Sequence, residues 1–345
     1  MRRNLLKMTV ATGALLLASC NPASSPDIPP MNALTALTGA TLTDMQRAYD
    51  VQHYTIDVGV YPETKRIDGS VAVRFTALEP LSALELDLDP RMAVTAATRG
   101  DAALSFTHDS HKVTVQLDAP LAAGETATVT LTYGGKPHIG IAPPWQGGLV
   151  WSTTEDGLPW VATAVQGEGC DLWWPCKDHY ADKPDAGMDI IINVPDTVKV
   201  AANGVLAGQS DIKDGRHSFH WKTNHPITGY AAAINIGPYT RLTDSYVGIN
   251  GTTMPIEFWV LPEDAQAAET LITSDIKSDL AFFEKLLGPY PWGDEKVGFV
   301  QTPHLGMEHQ TINAYGADFP RECCNENDRR SGAGSCCGRL RWQQI

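Results

Sequence analysis

The stretch HLGMEHQTINAYG, residues 304–316, gathers Gly, Met, Glu and His into a few positions. It is too polar for a core strand and too Gly-rich for a stable helix, and Pro303 and Gly306 also argue against a helix. If the chain is extended here, His304, Gly306 and Glu308 point to one side, and Met307 and His309 to the other. A carboxylate at Glu308 could hold an ammonium group by charge-assisted hydrogen bonds. Gly306 on the same face would let a second backbone come close, as when a peptide adds to a sheet edge. A glutamate on a solvated loop would show the same spacing, which alone is weak evidence.

The elements that must position such a carboxylate are mostly strands. Tyr54, Ile56, Val58 and Val60 alternate with polar residues, as do Val71, Val73 and Phe75. Leu84, Leu86 and Leu88 alternate with Glu85, Asp87 and Asp89; Val113, Val115 and Leu117, then Val129, Leu131 and Tyr133, repeat the pattern. Turn signals stand between them, DG at 68–69 and AAGE at 122–125. Period-two runs at this spacing predict an antiparallel, mainly β domain over 46–240, completed by MDIIINVP, VKVAANG, HSFHWKT and YAAAINIGPY. The character then changes. GTTMPIEFWVLP reads as a strand. Ile272, Ile276, Leu280, Phe283 and Leu287 follow at helical spacing, with Pro262 before them and Gly288-Pro289 after. KVGFVQTP reads as the next strand. An α/β domain therefore opens at 241 and runs to 320.

The chain has 345 residues, 43% hydrophobic and 19% charged, with a net charge of -14. Such a surface repels nucleic acid, so no nucleic-acid partner is expected, and it tolerates cationic ligands such as peptide amines. Residues 1–20 read as a signal peptide, a basic MRRNLLK followed by an apolar run too short to span a bilayer. The run ends Leu17-Ala18-Ser19-Cys20, which resembles a bacterial lipobox with Cys20 as the lipidated residue. Asn21 in place of Asp fits outer-membrane sorting by the same resemblance. The expected location is thus the periplasmic side of the cell envelope, lipid-anchored, with 21–45 as a Pro- and Ser-rich tether. Cys170 and Cys176 are close enough for a disulfide in an oxidising compartment, although two buried thiols are equally compatible with the sequence. Trp173 and Trp174 read as core at a domain interface, with a ligand platform as the alternative.

GMEHQTINAYG resembles the Gly-x-Met-Glu-Asn exopeptidase motif of the aminopeptidase N family of zinc metallopeptidases, in a Gly-Met-Glu-His form. QGEGCDLWWPCKDHYADKPDAGMDIIINVP, 166–195, resembles the Gln-x-Glu…Phe-Pro-Cys-x-Asp segment of that family. NGVL, 203–206, and LLGPYPWGDEKVGFVQTP also have counterparts there, in the same order. The resemblance covers 46–320. It implies an N-terminal β-sandwich or saddle domain followed by the first elements of a thermolysin-like domain. It also implies roles: Glu308 for the free α-amine of a peptide, Gly306 and Met307 for backbone contacts, and Gln166 beside Glu308 in the first substrate pocket. His309 stands where the family has Asn, which leaves open the contact that Asn makes.

Zinc is the cofactor that the resemblance implies, held in the family by His-Glu-x-x-His and a downstream Glu. None of the ten histidines (53, 108, 111, 138, 179, 217, 220, 225, 304, 309) begins that motif, so no metal ligand and no catalytic residue is assigned. After Pro320 the chain reads RECCNENDRRSGAGSCCGRLRWQQI, rich in Arg and in vicinal Cys pairs. This 321–345 tail resembles a shifted reading frame more than a metal-binding segment, because vicinal cysteines do not chelate one ion without strain. The expectation is an aminopeptidase fragment inactive as it stands. The alternatives are a peptide-binding surface lipoprotein and a half-enzyme completed by a second chain.

Overall fold

The computed structural model describes residues 41–316 and Phe319. The expectations for the signal peptide, Cys20, most of the tether and the Cys-rich tail lie outside these residues. At the end of the expected tether, Thr43 caps a short helix, Asp44–Arg47; its hydroxyl accepts from Gln46 N while the Gln46 side chain accepts from Thr43 N.

The period-two runs form an eight-stranded sheet. Its spatial order is Val205–Gln209, Arg216–Thr223, Met188–Pro195, Tyr49–Tyr61, Arg66–Ala77, Thr126–Gly135, Met92–Arg99 and Ala102–Ala103. Pairing is antiparallel except where Tyr49–Tyr61 runs parallel to Met188–Pro195. A three-stranded sheet (Leu81–Asp87, Lys112–Leu121, Phe106–Asp109) and a four-stranded one (Lys199–Ala202, Ile234–Gly237, Pro159–Ala164, Gly148–Thr153) share its core. Tyr54, Ile56, Val58 and Val60 are buried as their alternation predicts.

Two local expectations change. Asp68-Gly69 is not a turn but lies inside Arg66–Ala77; the chain reverses earlier, through Pro62–Thr64 and a left-handed Lys65. Gly69 serves close approach, since a Cβ there would lie 2.1 Å from the Asp57 carbonyl oxygen. Glu85, Asp87 and Asp89 do not face solvent, because their strand and its extension are covered on both sides. Each carboxylate has a partner instead: Thr43 Oγ1 donates to Glu85, Gln46 Nε2 and Lys112 Nζ to Asp87, and Arg91 to Asp89. Paired carboxylates are the form in which buried charge is tolerated.

Trp173 and Trp174 are fully buried in the β core, Trp174 edge-on to Tyr54 at 4.6 Å. They are core, not a ligand platform. Cys170 and Cys176 form a disulfide across this loop.

The later residues form a four-stranded sheet in the order Thr240–Val247, Thr253–Val260, Val297–Thr302, Asn313–Gly316. Met254, Ile256, Phe258 and Val260 pack on one side with Ala268, Ile272 and Ile276 of the helical segment. Trp259, Leu261, Val300 and Ile312 join the large β core on the other side. A strand apolar on both faces is what such sandwiching requires. The helical segment is composite, Ala265–Leu271 and Lys277–Leu287 joined by a π-turn at Ile272–Ile276. Ile272 and Ile276 are buried, whereas Phe283 and Leu287, expected on the same stripe, are exposed.

Lys296 fastens this sheet to the β domain. It is fully buried, donates to the carbonyls of Ala202 and Gly204, and lies 4.2 Å from the centre of the Trp221 ring. Burial pushes its amine down to about 7, against the opposing pull of Glu257 and Glu295. An unfolded lysine keeps its proton to about pH 10.4. Between those values the unfolded state binds the extra proton, so stability rises with pH, by at most roughly 1.4 kcal/mol per unit. Lys296→Met should flatten this limb. Urea unfolding at about pH 7 and about pH 9 checks it; an unchanged slope in the variant contradicts the assignment.

Candidate functional site

Strand Pro159–Ala164 ends at the turn that presents Gln166, where Gly169 N donates to Val165 O. Strand Val297–Thr302 ends at Pro303, and the chain then runs through Gly306, Met307 and Glu308 before returning as Asn313–Gly316. These two ends meet. Gln166 Nε2 donates to Glu308 Oε1 at 2.7 Å, both side chains lying at the surface.

The neighbours of Glu308 hold it there. Met307 N donates to Ala314 O at 3.2 Å and Ala314 N to Met307 O at 2.8 Å, an antiparallel bridge. The Met307 side chain is buried against Ala164, Ala314 and Tyr230. His309 is buried on the other side of Glu308. The backbone groups of Met307 are thus engaged within the fold, while Gly306 before it is half-buried. His304 was expected on the face of Glu308 but is buried, its Nδ1 2.5 Å from the Leu305 carbonyl. The bend over Pro303–Leu305 breaks the strict alternation of an extended strand.

Two tyrosines complete the site, and neither was singled out by sequence. Tyr230 packs on Met307 and shares a hydrogen bond with the Gln166 side chain. Burial, then the Glu308 charge, raises its phenol, so it stays protonated. Tyr180 donates to the Gln166 carbonyl at 2.8 Å and meets Tyr230 edge-on at 5.7 Å. YAAAINIGPY reads as one strand in sequence, but Gly229–Ala231 is a 3₁₀ turn that swings Tyr230 to the site. Glu168, two residues past Gln166, is buried and accepts from Gly147 N at 2.7 Å, which braces the Gln166 turn.

Burial also sets the charge of the histidines around Glu308. Burial lowers His309 to about 3, with His304 contributing, and lowers His304 to about 4. Both rings are therefore neutral at physiological pH. The ring nitrogens of His309 make no hydrogen bond among the described residues.

The described residues do not fit a catalytic zinc at this site. Among them, the one group of three with ligand spacing is Cys170, Cys176 and Asp178, and its two sulfurs are joined in the disulfide.

Residues 50–231 match the Peptidase M1 N-terminal domain. The chain is 27% identical to aminopeptidase B of Mus musculus over 330 residues, covering 87% of this chain and 46% of that protein. It is 23% identical to leucine aminopeptidase 2 of Ajellomyces capsulatus, covering 76% of this chain and 42% of that one. The chain thus spans about half the length of the curated relatives it matches. Among solved structures, an M1 zinc metallopeptidase mutant from Deinococcus radiodurans, bound to a Tyr-Ser-Ala substrate, aligns with a TM-score of 0.65 at 26% identity. That alignment covers 80% of this chain and 62% of the other.

His309 supplies a test of the site's burial. Its native ring stays neutral down to about 3, while an unfolded histidine takes its proton near 6.5. The unfolded state therefore gains a proton as pH falls below 6.5, and native stability drops through that window. His309→Asn removes this share, so the variant should lose less stability than the parent between about pH 6.5 and 4.5, by at most roughly 1.4 kcal/mol per unit. Unfolding free energies at the two pH values measure it. Equal losses would show that His309 is not buried as described.

Proposed function

Since the chain belongs to the M1 peptidase family through residues 50–231, we propose that it carries the end of an aminopeptidase cleft that recognises a peptide's N-terminus. The observation that carries this reading is the meeting of Gln166 and Glu308 at 2.7 Å from opposite sides of the junction. In it, Glu308 takes the α-ammonium by charge-assisted hydrogen bonds and Gln166 orients the carboxylate. Gly306 offers backbone to the peptide, Met307 anchors the loop by burial, and the Tyr230 phenol closes the polar rim. The Tyr-Ser-Ala bound to the Deinococcus radiodurans relative belongs to the proposed ligand class, short peptides.

Zinc supplies the Lewis acid and activated water in this family's chemistry. The 345 residues carry no His-Glu-x-x-His, so the reading assigns this chain recognition and no hydrolysis. The net charge of -14 favours cationic ligands in the same sense. The lipobox ending at Cys20 completes the proposal: the chain is tethered by lipid on the periplasmic face of the envelope.

Three outcomes are expected. Glu308→Gln should weaken binding of L-leucinamide by about one to two orders of magnitude, the range for a hydrogen bond to a charged group, and leave weak binding of N-acetyl-L-leucinamide as it is. Equal affinity of parent and variant for the free amine would refute the role of Glu308. The chain alone should not hydrolyse aminoacyl anilides above background with added zinc; turnover would refute the recognition-only reading. Cys20→Ser should move the protein from membrane to soluble fractions, and unchanged fractionation would remove the lipid anchor from the proposal.

A further inference from the structure

The Asn203-Gly204 turn lies outside the amine site, yet its side chain and backbone reach the loop that carries Glu308. Asn203 is 1% exposed, and all its side-chain groups are engaged. Its Oδ1 accepts from Ala233 N at 2.7 Å. Its Nδ2 donates to the Ala231 carbonyl at 2.8 Å and to the Gln310 carbonyl at 2.6 Å. Ala231 follows Tyr230, and Gln310 stands two residues after Glu308. One amide group thus spans the two segments that flank Gln166.

The turn is itself immobilised. Gly204 has φ +72, and a Cβ there would lie 2.0 Å from the Lys222 carbonyl oxygen, so no side chain fits. Lys296 Nζ donates to the carbonyls on either side of Asn203, those of Ala202 and Gly204. A second contact reaches the same loop: Gly204 N donates to Thr311 Oγ1 at 2.8 Å. Thr311 sits at φ +61, a left-handed conformation that a β-branched residue adopts only under constraint. It is 1% exposed, and its hydroxyl is the acceptor that the turn holds. An asparagine is suited to the hub because one planar amide offers an acceptor and two donors. Aspartate has nearly the same shape but would set a carboxylate oxygen against two carbonyls.

We infer that Asn203 is a positioning residue, which sets the place of Glu308 against Gln166 and Tyr230 through the carbonyls of Gln310 and Ala231. Its effect on ligand rests on the reading of Glu308 as the amine anchor; its effect on geometry does not.

The test uses Asn203→Asp, Thr311→Val and Thr311→Ser in the full chain. Affinities for L-leucinamide and N-acetyl-L-leucinamide are read by ligand-observed NMR, thermal unfolding checks that each variant is folded, and crystal structures of parent and Asn203→Asp give the geometry. Asn203→Asp and Thr311→Val should bind the free amine about five- to tenfold more weakly, the scale of one lost hydrogen bond. Thr311→Ser keeps the hydroxyl and should stay within about twofold of the parent. Binding of the acetylated ligand should not change in any variant. In the Asn203→Asp crystal the Gln166–Glu308 contact of 2.7 Å should be lost. A folded Asn203→Asp with parental amine affinity, or with that contact intact, overturns the inference. If Asn203→Asp does not fold, Thr311→Val decides by the same affinity measure. If the parent itself does not prefer the free amine, the Glu308 reading fails, and the crystal geometry alone then decides whether Asn203 positions the carboxylate.

Discussion

An exposed carboxylate is held in place when its chain neighbours are buried, and the arrangement around Glu308 follows from that constraint. A glutamate side chain free in solvent samples many rotamers, and fixing it costs conformational entropy. Here the residues on either side, Met307 and His309, are buried, and Met307 is bridged to Ala314 in both directions. Those anchors need a sheet to lie on. The sheet in turn is clamped to the β domain by Trp259, Leu261, Val300 and Ile312 in the shared core, and by buried Lys296 at the polar seam. Gln166 reaches Glu308 only because both domains are held in one register.

The field at the site is as ordered as its geometry. Charged imidazolium rings beside Glu308 would alter the field at its carboxylate. Burial keeps His304 and His309 neutral through the physiological range. Tyr230 stays a phenol beside the carboxylate for the same reason, with the Glu308 charge adding to the effect. Glu308 is thus an exposed acidic side chain set beside neutral rings. Burial without charge lets these neighbours fix the loop that carries Glu308 while adding no charge of their own beside it.

The strands were legible because each has one buried face, so Tyr54 to Val60 announce themselves by period two. Where both faces are covered, alternation no longer marks a solvent side. Glu85, Asp87 and Asp89 look like a solvent face, yet their partners Thr43, Gln46, Lys112 and Arg91 lie scattered in sequence. Gln166 and Glu308, 142 residues apart, were paired by family resemblance; no local spacing could have done it. Tyr180 and Tyr230 were missed because each reaches the site from a turn, and a turn leaves no periodicity to read. The Asn-Gly turn was visible at 203–204, but its reach to Gln310 depends on packing between domains that only the structure shows.

The pH dependence of amine binding tests the central claim most directly. If Glu308 binds an ammonium, affinity for L-leucinamide should hold steady from about pH 6 and fall as pH passes the ordinary α-amine range, about 7.7–8.0, where the ligand loses its charge. Glu308→Gln should show weak binding with a much shallower fall. Affinity that stays flat across that range in the parent chain would contradict recognition of an ammonium at this site.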